Sequence, residues 1–439
     1  MKFSLKSRFA RLSLFVLVMM FIVEISGRLS VTNNSTMMCV GWPLCYPEGL
    51  YGWFQLIHRI AVGFAVISVL ILSQQAWSKY RDNSMLLPLS MLVTVLFFSD
   101  VFTGAVNIMH GFQGYLSGLH SLTAVGLWVL LFSLVIAAGY LANVGLVEFP
   151  PINPKERARD LLMLTKPVIV SLLLVTTLGG MIAGMRSMPS FWLIFWTLLG
   201  GALAAGGASA LNQYIDRDLD KNMQRTSNRP LSSGRMLPAE GLAFGLALSV
   251  ISFYILAGFV NLLAALLGLA GIIYYVWLYS ILLKKATVQN IVIGGGAGAI
   301  PPLVGWAAAT GNLSPAAWFM FAIIFLWTPP HFWALSIVRK KDYERAGVPM
   351  LPVVQGEQAT RRQIWLYTLL LVGVSILMPL LHLAGTIFLI SSVALGLWII
   401  STAWKVYKGE GNKMAWKMYR YTSMYLLFIF LALVIDALV

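Results

Sequence analysis

Apolar stretches of roughly twenty residues, the length a helix needs to cross a bilayer, recur along this 439-residue chain with short polar segments between them. Thirteen spans are read, near 9–29, 54–77, 85–107 and 116–140, then 165–185, 190–213, 238–259, 261–282, 288–309, 315–338, 363–381, 384–404 and 416–438. With the N-terminus inside, all but Arg28, Arg59 and Arg186 of the 31 Lys and Arg residues fall in interior segments. Cytoplasmic loops of membrane proteins collect Lys and Arg, so one span more or fewer would scramble that partition. The expectation is an all-α polytopic protein of the cell inner (plasma) membrane with about 13 transmembrane helices, its N-terminus cytoplasmic and its C-terminus outside.

Composition agrees: 59% hydrophobic and 11% charged residues exclude a soluble globule. The net charge of +15 would suggest a nucleic-acid partner, but the interior loops account for it and no nucleic acid is expected. The first apolar run, from Leu12, follows Lys2, Lys6, Arg8 and Arg11 as in a signal peptide. It is long enough to span and more spans follow, so it reads as an uncleaved first helix. Two cysteines, Cys39 and Cys45, exclude a cysteine-rich framework and leave a single local disulfide open, in an outer loop where thiols can oxidise. The run GLVEFPPINPKERARD breaks the apolar pattern with prolines and charge. It divides the chain into a four-helix bundle (1–145), a cytoplasmic linker (146–164) and a nine-helix domain (165–439).

The chemistry concentrates in NQYIDRDLDKNMQRTSNRP, residues 212–230. Asn212, Asp216 and Asp220 recur every four residues, so on a helix their oxygens line one face. Oxygen donors in that order suit Mg²⁺, which keeps several waters and shares its other positions with phosphates. Arg225 and Arg229 follow, with forked donors that match phosphate oxygens. A solvated charged loop is the plainer reading, but acids beside a membrane span are costly and usually functional. A second cluster lies downstream. Lys284 and Lys285 place positive charge after the eighth span, suited to a diphosphate or simply to an interior loop, and Asp342 follows Arg339, Lys340 and Lys341 as a further metal-binding candidate. Tyr214, Tyr279 and Tyr343 offer aromatic faces for a cation. Gly294 to Gly298 reads GGGAG within a span, which permits close helix packing or leaves room for a flat ring or a prenyl tail. Lys166-Pro167 opens the fifth span, where the lysine reads as a membrane-edge residue rather than a phosphate ligand, and Pro301 and Pro302 are expected to bend their helix. His331 fits either a haem contact or a buried hydrogen-bonded histidine.

These motifs carry a resemblance. Asn-x-x-x-Asp-x-x-x-Asp with Arg-Thr and Arg-Pro-Leu resembles the first signature of intramembrane aromatic prenyltransferases. RTxxRPL followed by Ser-Gly, PPHFWAL and DYxxAGVPMLP is similar to the protohaem IX farnesyltransferase (haem O synthase) branch, over roughly residues 160 to 438. The resemblance implies nine spans and transfer of a farnesyl group from farnesyl diphosphate to a vinyl group of haem b. Metal would be held by Asn212, Asp216, Asp220 and Asp342, with Arg225 and Arg229 in the reaction and Lys284, Lys285, Tyr343 and His331 at the substrates. The active site would be cytoplasmic. Prenylation of another acceptor is the nearest rival; a transporter is disfavoured because these acids sit in loops on one face rather than at mid-membrane.

In the N-terminal domain, His58 opens the second span and His120 lies in the fourth, both toward the outer face. Two imidazoles from separate helices of a bundle can ligate haem, and a hydrogen-bonded pair of membrane histidines fits the spacing as well. CVGWPLC, the His-Arg pair and GLH resemble one half of haem A synthase, whose histidine pairs are associated with haem. Gln55 stands where that family carries a glutamate, so the expectation is haem binding or delivery rather than oxidation, with haem A synthase or a second copy as partner. A non-catalytic haem-binding or oxidase-assembly protein is the third reading.

Overall fold

The computed structural model describes residues 3–32, 43, 46, 47, 49–109, 114–142, 152–409 and 411–439. Cys39 and Cys45, and with them the candidate disulfide, lie outside the described residues. Among the described residues there is no strand, and thirteen helices are long and apolar enough to cross a membrane, as the polar–apolar pattern predicts.

The first helices are α1 (Arg8–Thr32), α2 (Gly49–Lys79), α3 (Leu86–Met109), α4 (Gly114–Leu141) and the short α5 (Pro154–Thr165). They are followed by α6 (Pro167–Met185), α7 (Phe191–Lys221), α8 (Pro238–Phe259) and α9 (Leu262–Ile273), which continues as a π-helix over Tyr274–Leu283. The next span is divided at Gly295 into α10 (Asn290–Gly294) and α11 (Gly296–Thr310). Then come α12 (Pro315–Val338), the short α13 (Lys340–Arg345) and α14 (Leu351–Val354), and finally α15 (Glu357–Leu380), α16 (Thr386–Lys408) and α17 (Asn412–Leu438). The break at Gly295 precedes Pro301 and Pro302, both of which lie inside the continuous α11.

The chain forms two compact units, Met1–Leu161 with Met236–Tyr254, and Leu162–Arg235 with Ile255–Val439. The first packs α1–α4 around Phe9, Met20, Leu72, Phe97, Leu127 and Leu131, and Ala239 and Ala243 of α8 join that core. Glu240, 1% exposed, is held there by two arginines. Arg81 Nε lies 3.0 Å from one of its oxygens, and Arg157 Nη1 donates to the other at 3.0 Å, where the Leu237 N–H also donates at 2.9 Å. Breaking a buried ion pair from one side strands the remaining charge. Glu240→Ala is therefore expected to destabilise the protein by about 3 kcal/mol or more, read as a lowered denaturation midpoint in detergent; an unchanged midpoint would mean that the arginines find other partners.

The second unit is built on close backbone approach. Gly180 of α6 faces the Pro302 carbonyl and Gly305 of α11 faces the Thr177 carbonyl, leaving no space for a Cβ at either glycine. Around this pair α12, α15, α16 and α17 bury Met320, Ile323, Ile364, Leu371, Ile399 and Tyr425. Asp436, near the end of α17, caps α16 by accepting from the Gly385 N–H at 2.5 Å and the Phe388 N–H at 3.0 Å.

Candidate functional site

The apolar run that makes α7 a membrane span does not end where polar residues begin. Ser190 caps its first turn by accepting from the Leu193 N–H, and the helix continues to Lys221. Asn212, Asp216 and Asp220 consequently share one face, and all three are buried, at 3%, 2% and 2% exposure. Two ionised carboxylates survive burial only with compensation. Lys284 Nζ donates to Asp216 Oδ2 at 2.5 Å, and Arg229 Nη1 donates to Asp220 Oδ2 at 2.5 Å. Arg229 reaches back because residues 222–235 fold as consecutive turns: the Thr226 hydroxyl donates to the Asp220 carbonyl at 3.1 Å, and Gly234, at φ +77°, closes the segment in a conformation other residues resist.

Asn212 is oriented by partners that leave no choice. Lysine can only donate and carboxylate can only accept. Lys166 Nζ donates to Asn212 Oδ1 at 3.2 Å, while Asn212 Nδ2 donates to Asp216 Oδ2 at 2.7 Å and to the Ser280 hydroxyl at 2.9 Å. Lys166 is thus inside the site, contrary to its expected place at the membrane edge. It caps α6 with φ 51° and ψ 62°, a left-handed conformation rare outside glycine. Its approach is fixed from α7, where the Ser209 hydroxyl and Gln213 Nε2 donate to the Leu164 carbonyl at 2.7 and 2.9 Å. Desolvation pushes the Lys166 ammonium down to about 7, with the Arg229 and Lys284 cations adding to the shift and Asp220 and Asp216 opposing it.

The π-helix over Tyr274–Leu283 widens the turn, so the Lys284 N–H bonds the Tyr279 carbonyl five residues back. That register stacks Tyr275 on Tyr279, centroids 5.6 Å apart, and turns Ser280 and Lys284 toward α7. The GGGAG run receives these rings: Gly294 lies against the Tyr279 ring, and a Cβ at Gly296 would come within 2.6 Å of the Tyr274 hydroxyl. Close packing against tyrosine is realised at Gly294 and Gly296, while Gly298 faces open space. Gly294→Ala is expected to tilt Tyr279 out of its stack and slow turnover on the order of tenfold; an unaltered kcat would show that the ring's position is immaterial.

The remaining candidates are more dispersed. Asp342 is buried on α13, with Arg339 Nη1 at 3.9 Å. Burial pushes the Tyr343 phenol up, the Arg225 cation opposes this and the Asp342 carboxylate adds to it, so Tyr343 lies in the fields of both motifs. Arg225 itself is exposed. Lys285 is exposed too, near the exposed Asp218. Tyr214 is engaged by Arg217, which lies 4.7 Å over its ring. His331 is a buried, hydrogen-bonded histidine: Trp327 stacks on it at 4.3 Å, Tyr419 covers it at 4.5 Å, and Nδ1 meets the Thr422 hydroxyl at 2.9 Å.

Among the described residues no three of His, Cys, Asp and Glu stand close enough to enclose an ion. Asp216 and Asp220 nevertheless offer hard oxygens beside three cations, Lys284, Arg229 and Lys166. That fits Mg²⁺ held by one or two carboxylates and completed by water and phosphate oxygens, rather than a closed protein cage.

In the first unit, the two histidines are each held from the neighbouring helix. His58 Nδ1 lies 3.1 Å from the Val23 carbonyl and 3.2 Å from the Ser26 hydroxyl, whose own proton goes to that carbonyl. His120 Nδ1 lies 3.1 Å from the Asp100 carbonyl and 2.8 Å from the Asp100 carboxylate. All these partners accept, so Nδ1 carries the proton on both rings, and in the neutral form of each Nε2 is the nitrogen that could bind a metal. Glycine lies beneath each ring, Gly27 under His58 and Gly104 under His120. Sequence reasoning passed over Asp100, although a lone acid inside an apolar span was the available signal; for Lys166 there was no comparable one.

Two buried aspartates thus stand on one helix face beside lysine and arginine, in a bundle of helices apolar enough to cross a membrane. Residues 173–432 match the UbiA prenyltransferase family, and the chain belongs to that family. Within it, the chain is similar to proteins named protoheme IX farnesyltransferase. It is 39% identical to that of Roseiflexus sp. (strain RS-1), over 96% of this chain and 82% of the relative. It is 51% identical to that of Trichodesmium erythraeum (strain IMS101), over 63% of this chain and 84% of the relative. A solved digeranylgeranylglyceryl phosphate synthase has the same fold over 64% of this chain and 99% of its own, with a TM-score of 0.56 at 17% identity.

Proposed function

We propose that this protein transfers a farnesyl group from farnesyl diphosphate to a vinyl group of protohaem IX, giving haem O and diphosphate. The observation that carries this is the buried Asp216–Lys284 and Asp220–Arg229 pair of contacts on α7, in a chain whose full-length relatives bear the name of that activity. Lys284, Lys166 and Arg229 converge where negative charge would grow on a departing diphosphate, and fixed cations in a dry site stabilise such charge strongly. Arg225, exposed beside them, is the cation open to incoming substrate. The stacked Tyr275 and Tyr279 present aromatic faces to the allylic carbon, and the apolar helices around them exclude water. Asp216 and Asp220 would hold Mg²⁺, which when bound would supply positive charge to the diphosphate oxygens. Positive-inside charge supports a cytoplasmic active site and N-terminus, with the C-terminus outside.

The test is incubation of purified protein with haem b, farnesyl diphosphate and Mg²⁺, with and without chelator, followed by mass analysis of extracted haems. A chelator-sensitive product with the mass of haem O is expected. Consumed diphosphate beside unchanged haem would move the reading to another prenyl acceptor. We further infer that the N-terminal bundle holds a haem between His58 and His120. Its support is that both imidazoles turn Nδ1 to an acceptor on the neighbouring helix, so that Nε2 of each would be the atom to hold iron.

A further inference from the structure

The two histidines are mounted by one device, used twice, with a single difference. In α1, the Val23 carbonyl takes His58 Nδ1 and Gly27, four residues on, lies under the ring, where a Cβ would be 3.1 Å from Cε1. In α3, the Asp100 carbonyl takes His120 Nδ1 and Gly104, again four residues on, lies under the ring at 3.2 Å. One helical turn separates carbonyl from glycine in both, so each imidazole can lie flat on its neighbour helix. Behind His58 the second partner is the neutral Ser26 hydroxyl at 3.2 Å; behind His120 it is the Asp100 carboxylate at 2.8 Å. Asp100 is 8% exposed, and it is the one carboxylate within hydrogen-bond distance of either imidazole among the described residues. Glu24 and Arg28 of α1 add one charge of each sign to the surroundings.

We propose that Asp100 is a positioning residue that would make His120 the stronger of two unequal haem-binding histidines and would bias the bound haem toward its ferric state. The proposal rests on the reading that His58 and His120 hold haem. A carboxylate oxygen 2.8 Å from Nδ1 favours the proton on that nitrogen and would raise electron density on Nε2, which favours the more positive iron. A serine hydroxyl that already donates to a carbonyl supplies much less. The pair is therefore polarised by sequence at one position, although the helices mount both rings alike.

The experiment uses the full-length protein in detergent, titrated with ferric haem b and followed by the haem absorption band, then reduced stepwise. Asp100→Asn is expected to weaken ferric haem binding about tenfold to 100-fold, the usual range for losing such a partner. It should also let the bound haem be reduced more easily. Ser26→Ala should change both readings far less, and Asp100→Glu should restore part of the ferric preference. Retained farnesyl transfer shows that the Asp100→Asn protein is folded. Haem that binds the Asp100→Asn variant and reduces as in wild type would overturn the proposal while leaving the ligand reading intact. Failure of the wild type to take up haem, or uptake that survives loss of both His58 and His120, would overturn both.

Discussion

Asp216→Asn is expected to lower farnesyl transfer by about 10²–10³-fold, the scale on which loss of one group stabilising developing charge is felt, while the protein still inserts and folds. Asparagine keeps the shape and can still meet Asn212 and Lys284, so the buried face of α7 is not emptied. What disappears is the negative charge that a divalent cation requires. Lys284 is then a half-buried cation without its carboxylate, free to hold diphosphate but not to help place metal. Measured as turnover at saturating substrates, alongside size-exclusion behaviour in detergent, the variant separates chemistry from folding. Full activity would remove Asp216 from the metal site. A matching loss in Asp220→Asn would extend the argument to the Arg229 contact, which has the same form one turn later.

Gly305→Val is expected to prevent folding of the second unit altogether. Its Cβ would fall on the Thr177 carbonyl, which is backbone of α6 and cannot rotate away as a side chain would. Overpacking a core costs about 1–3 kcal/mol when side chains can shift; here two helix backbones must separate, and Gly180 against the Pro302 carbonyl repeats the constraint nearby. Helices in lipid gain little from hydrophobic exclusion and rely on such close approach. Loss of monodisperse protein, with no recovery of transfer at low temperature, is the expected reading. A stable, active Gly305→Val protein would show that the α6–α11 contact can open without cost.

Some of this was legible from local pattern. Asn212, Asp216 and Asp220 at intervals of four announce a shared helix face, and α7 supplies it. Arg229 was read as a phosphate ligand, and its contact with Asp220 shows how the loop carries it back. Lys166 was discounted because its insertion depends on Ser209 and Gln213 catching a carbonyl more than forty residues away. The GGGAG run was ambiguous because small residues describe only an absence of volume; Tyr279 and Tyr274 decide what fills it. His331 was equally undecided until Trp327 and Tyr419, on two different helices, covered its faces.

By itself the sequence determined the thirteen spans, the helix that bears the acids and the charge bias of the loops. Those properties follow from how each segment is solvated by lipid or water, and solvation is read along the chain. Only the tertiary structure decided that Lys284 meets Asp216, that Lys166 turns into the site and that Asp100 stands behind His120. Each of these is a polar contact between residues far apart or on different helices, and its geometry exists only once glycine contacts, Gly180 and Gly305 in the second unit and Gly104 in the first, have set how closely the helices approach.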